Sequence, residues 1–170
     1  LPELREAGHP VSSTRIRDCV QRGDMETAAS LLGRPFAVLG TVQHGQGLGG
    51  AGLSCPTANL DGGSLLLPPD GVYAATGRIP GVAETLKGIA YVGRRPTVET
   101  PNGGLGERVV ELHLFDVAPN LYGVEIEVGF LRFLRADQRF PSLAELREQI
   151  QADVRAARAV FAAASPPPAS

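Results

Sequence analysis

The chain has 170 residues and a formal net charge of −2, with 43% hydrophobic and 20% charged residues. This length fits one domain plus a short appendage, and the composition is globular rather than disordered. So small a net charge gives no general attraction to nucleic acid, and no apolar run approaches the ~18 residues of a membrane-spanning helix. We therefore expect a cytoplasmic protein that acts on small molecules, with neither nucleic acid nor a membrane as its partner.

Neither the cysteines nor the histidines are spaced like a metal site or a disulfide framework. Cys19 and Cys55 lack C-x-x-C spacing, so we expect both thiols to be reduced. His9, His44 and His113 lie far apart and form no H-E-x-x-H pattern, which favours structural or surface roles over metal ligation. The chain is therefore predicted to hold no catalytic zinc.

Residues 1–33 are predicted to form a small helical segment. A helix is expected to begin near Ser13 and to end at Gly23, and Asp24 can cap a second helix that Gly33 closes. The chain does not start with methionine, and its first residues lack the basic start and apolar run of a secretory signal. We therefore expect it to derive from a longer precursor.

The region after residue 33 has the pattern of an antiparallel β domain. Short runs rich in valine, isoleucine, leucine and tyrosine are separated by turn residues, and apolar and polar positions mostly swap faces in the later runs. Strands are predicted at residues 36–43, 71–79, 87–93, 107–116 and 124–131.

A C-terminal helix is predicted to pack against this β domain. It opens on a capping box formed by Ser142 and Glu145. One apolar stripe recurs at helical spacing: Leu146, Ile150, Val154, Ala157 and Phe161. The polar positions are expected to face water: Arg147, Glu148, Gln151, Asp153, Arg155 and Arg158. Residues 164–170, which are rich in proline, are predicted to be a disordered tail.

A glycine-rich stretch is the first candidate for chemistry. It contains the closely spaced glycines Gly45, Gly47, Gly49 and Gly50 and is followed by Thr57 and Asn59. Glycines let backbone amides approach phosphate oxygens, and threonine and asparagine offer oxygen ligands that suit Mg²⁺. The stretch is not a Walker loop, and glycine content alone equally fits a flexible hairpin loop.

Several motifs occur in an order that resembles the riboflavin kinase module of bacterial bifunctional FAD synthetases. They are PTAN at 56–59, LPPDGVYA at 67–74, GRRPT at 93–97, ELHLFD at 111–116, LYG at 121–123, LR at 134–135 and QIQAD at 149–153. The resemblance covers roughly residues 33–158. Residues 11–17 and 33–35 also resemble the junction that follows the adenylyltransferase module of those enzymes, so that module is expected to be missing from this chain.

The resemblance implies a mainly β fold, a six-stranded Greek-key barrel flanked by the N-terminal helical segment and the C-terminal helix. It implies domain limits of 1–33 for the junction and 34–163 for the barrel with its helix. It also implies phosphorylation of riboflavin to FMN with Mg²⁺ and ATP, which leaves ADP.

The resemblance also assigns roles to individual residues. The glycine stretch, Thr57 and Asn59 would bind the nucleotide, and Thr57 and Asn59 would hold Mg²⁺. Glu111 would be the general base and would lie against the flavin together with Arg135. The residues alone leave Glu111 open to another interpretation, because a solvent-facing strand position predicts it equally well.

Around the presumed ligand-binding residues, the chain departs from the sequence pattern of the riboflavin kinase modules that it resembles. Ala51, Ser54 and Cys55 stand where that pattern has arginine, glycine and phenylalanine. Tyr91 and Val98 replace asparagine and phenylalanine, and Asp137 replaces glutamate.

Three functions stay open from the sequence. The first is a working riboflavin kinase, which the presence of Thr57, Asn59 and Glu111 favours. The second is a flavin- or nucleotide-binding module with altered catalysis, which the departures in the glycine stretch favour. The third is a phosphotransferase that acts on another small alcohol.

Overall fold

A computed structural model describes the chain at residues 5–6, 9–10, 12–43, 57–94, 107–117 and 120–164. The helices within these ranges are α1 (Ser13–Arg22), α2 (Met25–Leu32) and α3 (Leu143–Ala164). The strands within them are β1 (Arg5–Glu6), β2 (His9–Pro10), β3 (Phe36–Gln43), β4 (Thr57–Asp61), β5 (Gly71–Arg78), β6 (Thr85–Arg94), β7 (Arg108–Leu114) and β8 (Glu125–Ala136).

Six of the strands close into an antiparallel barrel in the order β3-β4-β7-β6-β5-β8. Strands β5, β6 and β7 follow one another as neighbours, and β8 returns to lie beside β5. This is the Greek-key arrangement. Strand β3 pairs with both β4 and β8 and so completes the barrel. The predicted mainly β fold is confirmed.

Each predicted strand is present, and β4 is the strand of the barrel that the sequence did not predict. Its sequence, Thr57 to Asp61, mixes an asparagine and an aspartate, which are poor strand formers, with only one large apolar residue, Leu60. Its pairing with β3 and β7 supplies the backbone hydrogen bonds that the local sequence does not specify. Strand β8 also continues to Ala136, beyond the predicted end at residue 131.

The two short helices begin and end where their caps predict. The Ser12 hydroxyl accepts a hydrogen bond from the Arg15 backbone amide at 3.2 Å, and Asp24 Oδ1 accepts one from the Thr27 amide at 3.1 Å. Gly33 closes α2 in the left-handed conformation with φ +70°. The two helices lie where the sequence predicts them, and the short strands β1 and β2 that precede them were not predicted.

Helices α1 and α2 share the barrel's interior core. Their buried side chains, which include Val20, Met25 and Ala28, pack in one cluster with inward-facing barrel residues such as Tyr73 and Phe130. Tyr73 and Phe130 meet edge to face with ring centroids 5.5 Å apart. The helical pair therefore belongs to the barrel's own core.

Helix α3 packs on the outside of the barrel and builds a second, smaller core. Val72, Ala74 and Ile89 on the outer faces of β5 and β6 pack there with Ala157 and Phe161 of the helix. The apolar stripe predicted for this helix is confirmed. Of the predicted tail, Ala164 is the last residue of α3, and the others lie outside the described residues.

The start of α3 confirms the predicted capping residues. The Ser142 hydroxyl accepts a hydrogen bond from the Glu145 amide at 3.2 Å, and the two side chains lie 3.2 Å apart. The expectation that Asp153 faces water was wrong, since this carboxylate is only 4% exposed. Asp153 lies one helical turn after Gln149 at the edge of the apolar stripe, where α3 meets β8.

Candidate active site

The strand register aligns five residues in one row across five neighbouring strands. Asn59 of β4 lies opposite Glu111 of β7, which lies opposite Tyr91 of β6. Tyr91 lies opposite Val72 of β5, and Val72 lies opposite Arg135 of β8. Directly opposed residues of antiparallel strands project from the same face of a sheet. The residues that flank the first four members point into the barrel core, so those four side chains face outward. Arg135 lies on the same face, because it contacts α3 on the outside of the barrel, and these five side chains form an outer row.

One end of the outer row brings an amide next to a carboxylate. Asn59 is 4% exposed, and its Nδ2 donates a hydrogen bond to the Thr57 carbonyl at 3.3 Å. This bond fixes the amide plane and leaves the Asn59 oxygen as the group that can bind a cation. Thr57 projects from the same face two residues away, opposite His113. The structure therefore places Thr57, Asn59 and Glu111 on one outer face of neighbouring strands β4 and β7.

Tyr91 occupies the middle of the outer row, beside Glu111. Burial raises the pKa of its phenol to about 12, and the carboxylates of Asp137, Glu111 and Asp70 add to the rise. The phenol also forms a side-chain hydrogen bond with Asp137. The hydroxyl is therefore neutral at physiological pH and donates to the Asp137 carboxylate.

Asp70, the residue directly before β5, is held by two arginines. Asp70 Oδ1 accepts a hydrogen bond from Arg108 Nη2 at 2.7 Å, and Arg94 Nε lies 4.0 Å from Asp70 Oδ2. Arg108 also donates to the carbonyl oxygens of Leu67 and Pro68, at 3.4 and 2.6 Å. The LPPDG motif is therefore tied to β7 through one guanidinium.

The other end of the outer row is a cation fixed by the C-terminal helix. Arg135 donates from Nε to Asp153 Oδ1 at 2.9 Å and from Nη2 to Asp153 Oδ2 at 2.9 Å. Gln149 Nε2 donates to the same carboxylate at 2.9 Å, and the guanidinium lies 5.6 Å from the centre of the Phe140 ring. Arg135 is 19% exposed, so its planar group is held in one orientation.

The outer row does not bring Arg135 next to Glu111. Three strand spacings of about 4.8 Å separate them, roughly 14 Å along the sheet. Tyr91 and Val72 lie between them, and α3 covers Val72. The predicted flavin contacts therefore mark two ends of one surface rather than a single cluster.

Several predicted positions fall on residues that the structure does not describe. These are Gly45, Gly47, Gly49, Gly50, Ala51, Ser54, Cys55 and Val98. Within the described ranges, no group of three or more histidine, cysteine, aspartate and glutamate side chains is arranged to hold a metal ion.

Two features of the site were not found by reading the sequence. One is the contact between Tyr91 and Asp137, which appeared only as two unrelated departures from the resembling pattern. The other is the burial of Asp153. The available signals were that Asp153 lies four residues after Gln149, on the same side of the helix, and next to Val154 of the apolar stripe.

Comparison with family models assigns this Greek-key barrel to a class of phosphotransferases. The family model described as "Flavokinase: Riboflavin kinase" matches residues 32–161, and the chain belongs to this family.

Curated relatives agree with the family. The chain is 41% identical to a protein of Escherichia coli over 95% of this chain and 49% of the relative, and 43% identical to one of Pseudomonas fluorescens over 91% and 48%. Both are described as bifunctional riboflavin kinase/FMN adenylyltransferase. The chain therefore spans about half the length of the curated relatives it matches.

Solved structures share the fold. A Streptococcus pneumoniae protein described as a macrolide-efflux protein superposes with a TM-score of 0.76 at 32% identity, covering 93% of this chain and 50% of that one. Riboflavin kinase from Trypanosoma brucei superposes with a TM-score of 0.50 at 24% identity, covering 75% of this chain and 80% of that one, and supports the fold alone.

In the part of the chain that the structure describes, none of the helices has the length and apolar character to cross a membrane.

Proposed function

We propose that the chain phosphorylates riboflavin to FMN, with ATP as the phosphoryl donor and Mg²⁺ as the metal. The observation that carries this proposal is the direct cross-strand pairing of Asn59 with Glu111, because it sets a cation-binding oxygen beside a carboxylate on one outer face. Membership of the riboflavin kinase family supports the choice of substrate.

Thr57 and Asn59 fit a magnesium ion that is shared with nucleotide phosphates. Mg²⁺ prefers oxygen ligands and is commonly bound by few protein groups together with substrate phosphates. The Thr57 hydroxyl and the oriented Asn59 oxygen are neutral ligands of this kind, so a bound phosphate supplies the negative charge. When bound, the metal neutralises charge that develops on the transferred phosphoryl group.

Glu111 is the proposed general base. Its carboxylate accepts the proton of the riboflavin primary hydroxyl while the hydroxyl oxygen bonds to the γ-phosphorus. The bond between that phosphorus and the bridging oxygen of ADP breaks in the same step. Phosphoryl transfer is largely dissociative, so we assign most of the catalysis to in-line placement and charge neutralisation.

Arg135 is proposed to contact the flavin at the far end of the outer row. Its bidentate pairing with Asp153 holds the guanidinium plane, and Nη1 donates to the Ala136 carbonyl at 3.1 Å. The N–H groups that these two partners do not use remain for a ligand. The glycine stretch at residues 45–50 is proposed to bind the nucleotide phosphates.

The second activity in the description of the relatives suggests what happens to the FMN product. They are about twice as long and are described as FMN adenylyltransferases as well. We propose that FMN made here is passed to an adenylyltransferase module, either in a longer form of the chain or in a separate protein. A cytoplasmic location is part of this proposal.

Incubation of the purified chain with Mg-ATP and riboflavin tests the function. Chromatography should detect FMN and ADP in equal amounts, and omission of Mg²⁺ should abolish both. Flavin binding without FMN formation would identify a binding module instead. ADP formation with another small alcohol, but not with riboflavin, would reassign the substrate.

A further inference from the structure

Three residues lie level with one another where strands β5, β6 and β8 meet. Gly71 of β5 pairs with Val92 of β6 and with Ala136 of β8. The residues that continue beyond these pairs are therefore Asp70, Gly93 and Asp137. Asp137 is the first residue of the connection between β8 and α3.

The Tyr91 side chain runs along β6 toward this level. A Cβ added to Gly93 would lie 2.1 Å from the Tyr91 hydroxyl oxygen and 2.3 Å from Cζ. The phenol therefore occupies the space above Gly93 that any other residue would fill. Asp137 follows Ala136 at this same level on the other side of β5, and the phenol and this carboxylate interact there.

The two partners are matched in length. The riboflavin kinase pattern that this chain resembles has asparagine at the first position and glutamate at the second. That pattern therefore combines a short side chain with a longer carboxylate. This chain has a long phenol at Tyr91 and a shortened carboxylate at Asp137, and the structure joins them. The two departures therefore form one contact.

We propose that Tyr91 and Asp137 are a positioning pair that holds the β8–α3 connection against the Glu111 side of the outer row. Tyr91 lies opposite Glu111. The connection carries Phe140, which packs over the Arg135 guanidinium. The pair thus fixes the distance between the proposed base and the proposed flavin contact, and so the placement of the hydroxyl that receives the phosphoryl group. This inference rests on the proposed function.

Two variants remove the contact in different ways. Tyr91→Phe deletes the donor and keeps the ring. Gly93→Ala keeps the hydroxyl but displaces it, and the fold tolerates this because the obstructing atoms are the far end of one side chain. Both should lower kcat/KM for riboflavin by about 10- to 100-fold, the scale of a misplaced reacting group, while KM for ATP changes less than about twofold. Tyr122→Phe, which alters a half-exposed tyrosine in the β7–β8 connection, is the matched control.

A length swap tests the pair against a general structural role. Tyr91→Asn alone leaves a gap, and Asp137→Glu alone crowds the phenol, so each should impair riboflavin turnover about tenfold. The double variant should recover to within about threefold of the parent, because the lengths match again. Gly93→Ala should have no further effect in the Tyr91→Asn background. Additive losses in the double variant would overturn the pairing.

Backbone ¹⁵N relaxation gives a readout that needs no catalysis. Order parameters for residues 137–140 should fall in Tyr91→Phe and in Gly93→Ala and stay unchanged in Tyr122→Phe. If the parent forms no FMN, the proposed function fails, yet a loss of order still supports the pair. Unchanged order at residues 137–140, or unchanged riboflavin kinetics in an active parent, overturns the inference.

Discussion

The N-terminal helices and the C-terminal helix attach to the barrel in opposite ways. Helices α1 and α2 place Val20, Met25 and Ala28 in the barrel's interior core. Helix α3 lies on the outer face and contributes Asp153 to the end of the outer row. We therefore expect the first attachment to contribute mainly to the stability of the barrel and the second mainly to the orientation of the proposed site residue Arg135. Four experiments can break or sharpen this contrast.

The largest expected effect is loss of folding on charge insertion into the first attachment. Met25 is 2% exposed, and Met25→Asp buries a carboxylate without a partner, at a cost of about 4 kcal/mol or more. Urea unfolding followed by circular dichroism should show a much lower midpoint. Met25→Leu, which nearly conserves volume, should cost less than about 1.5 kcal/mol. A stable Met25→Asp barrel would show that α1 and α2 are an appendage, in line with a domain that begins at residue 34.

Glu111→Gln should stop catalysis without unfolding the barrel. The amide keeps size and hydrogen bonding but cannot accept the hydroxyl proton, so kcat should fall by about 10²- to 10⁴-fold. Affinities for riboflavin and ATP should change little by titration. Glu125→Gln, at an exposed position of β8, is the control and should leave kcat unchanged. A parallel loss of affinity and unfolding free energy would identify Glu111 as a structural strand residue.

Asp153→Asn should weaken flavin binding more than nucleotide binding. The neutral amide cannot hold Arg135 through charge-assisted bonds, so riboflavin affinity should fall several-fold, and the free energy of unfolding should fall by about 1 to 3 kcal/mol. Glu148→Gln, on the exposed face of α3, should change neither quantity. Equal losses for both ligands would show that α3 supports the whole barrel rather than this end of the site.

The smallest effect is a change in alkaline stability due to Tyr91. Its pKa is raised from 10.0 to about 12 on folding, so its contribution is complete below pH 10 and is lost as the pH rises through 12. After allowance for solvent screening of a half-buried phenol, this contribution is about 1 to 2 kcal/mol. Unfolding curves at pH 9 and pH 11.5 should show a smaller decline for Tyr91→Phe than for the parent. Identical declines would place the phenol in a solvated environment.

The sequence predicted the helices and strands better than it predicted which strands pair with one another. Alternation around Glu111 identified β7, and the caps at Asp24 and Gly33 identified α2, because these signals are local. Strand β4 was not predicted because its asparagine and aspartate are poor strand formers, and its order comes from pairing with β3 and β7.

The site residues needed tertiary information of a similar kind. The residue opposite Glu111 depends on a register between strands distant in sequence, which local propensity does not encode. The burial of Asp153 depends on the position of Arg135, and the Tyr91 contact depends on the space over Gly93. A resemblance named Thr57, Asn59 and Glu111, but a common face for them follows only from the folded sheet.

Closure of the barrel between β3 and β8 bears on how the chain is made. Phe36 pairs with Phe130, 94 residues later in the sequence. During synthesis β3 therefore cannot complete its pairing until these 94 residues have also left the ribosome. Until then the apolar faces of α1 and α2 lack the wall they pack against. Contacts this distant slow folding, so the nascent chain has a long interval in which it is open to aggregation and to chaperones.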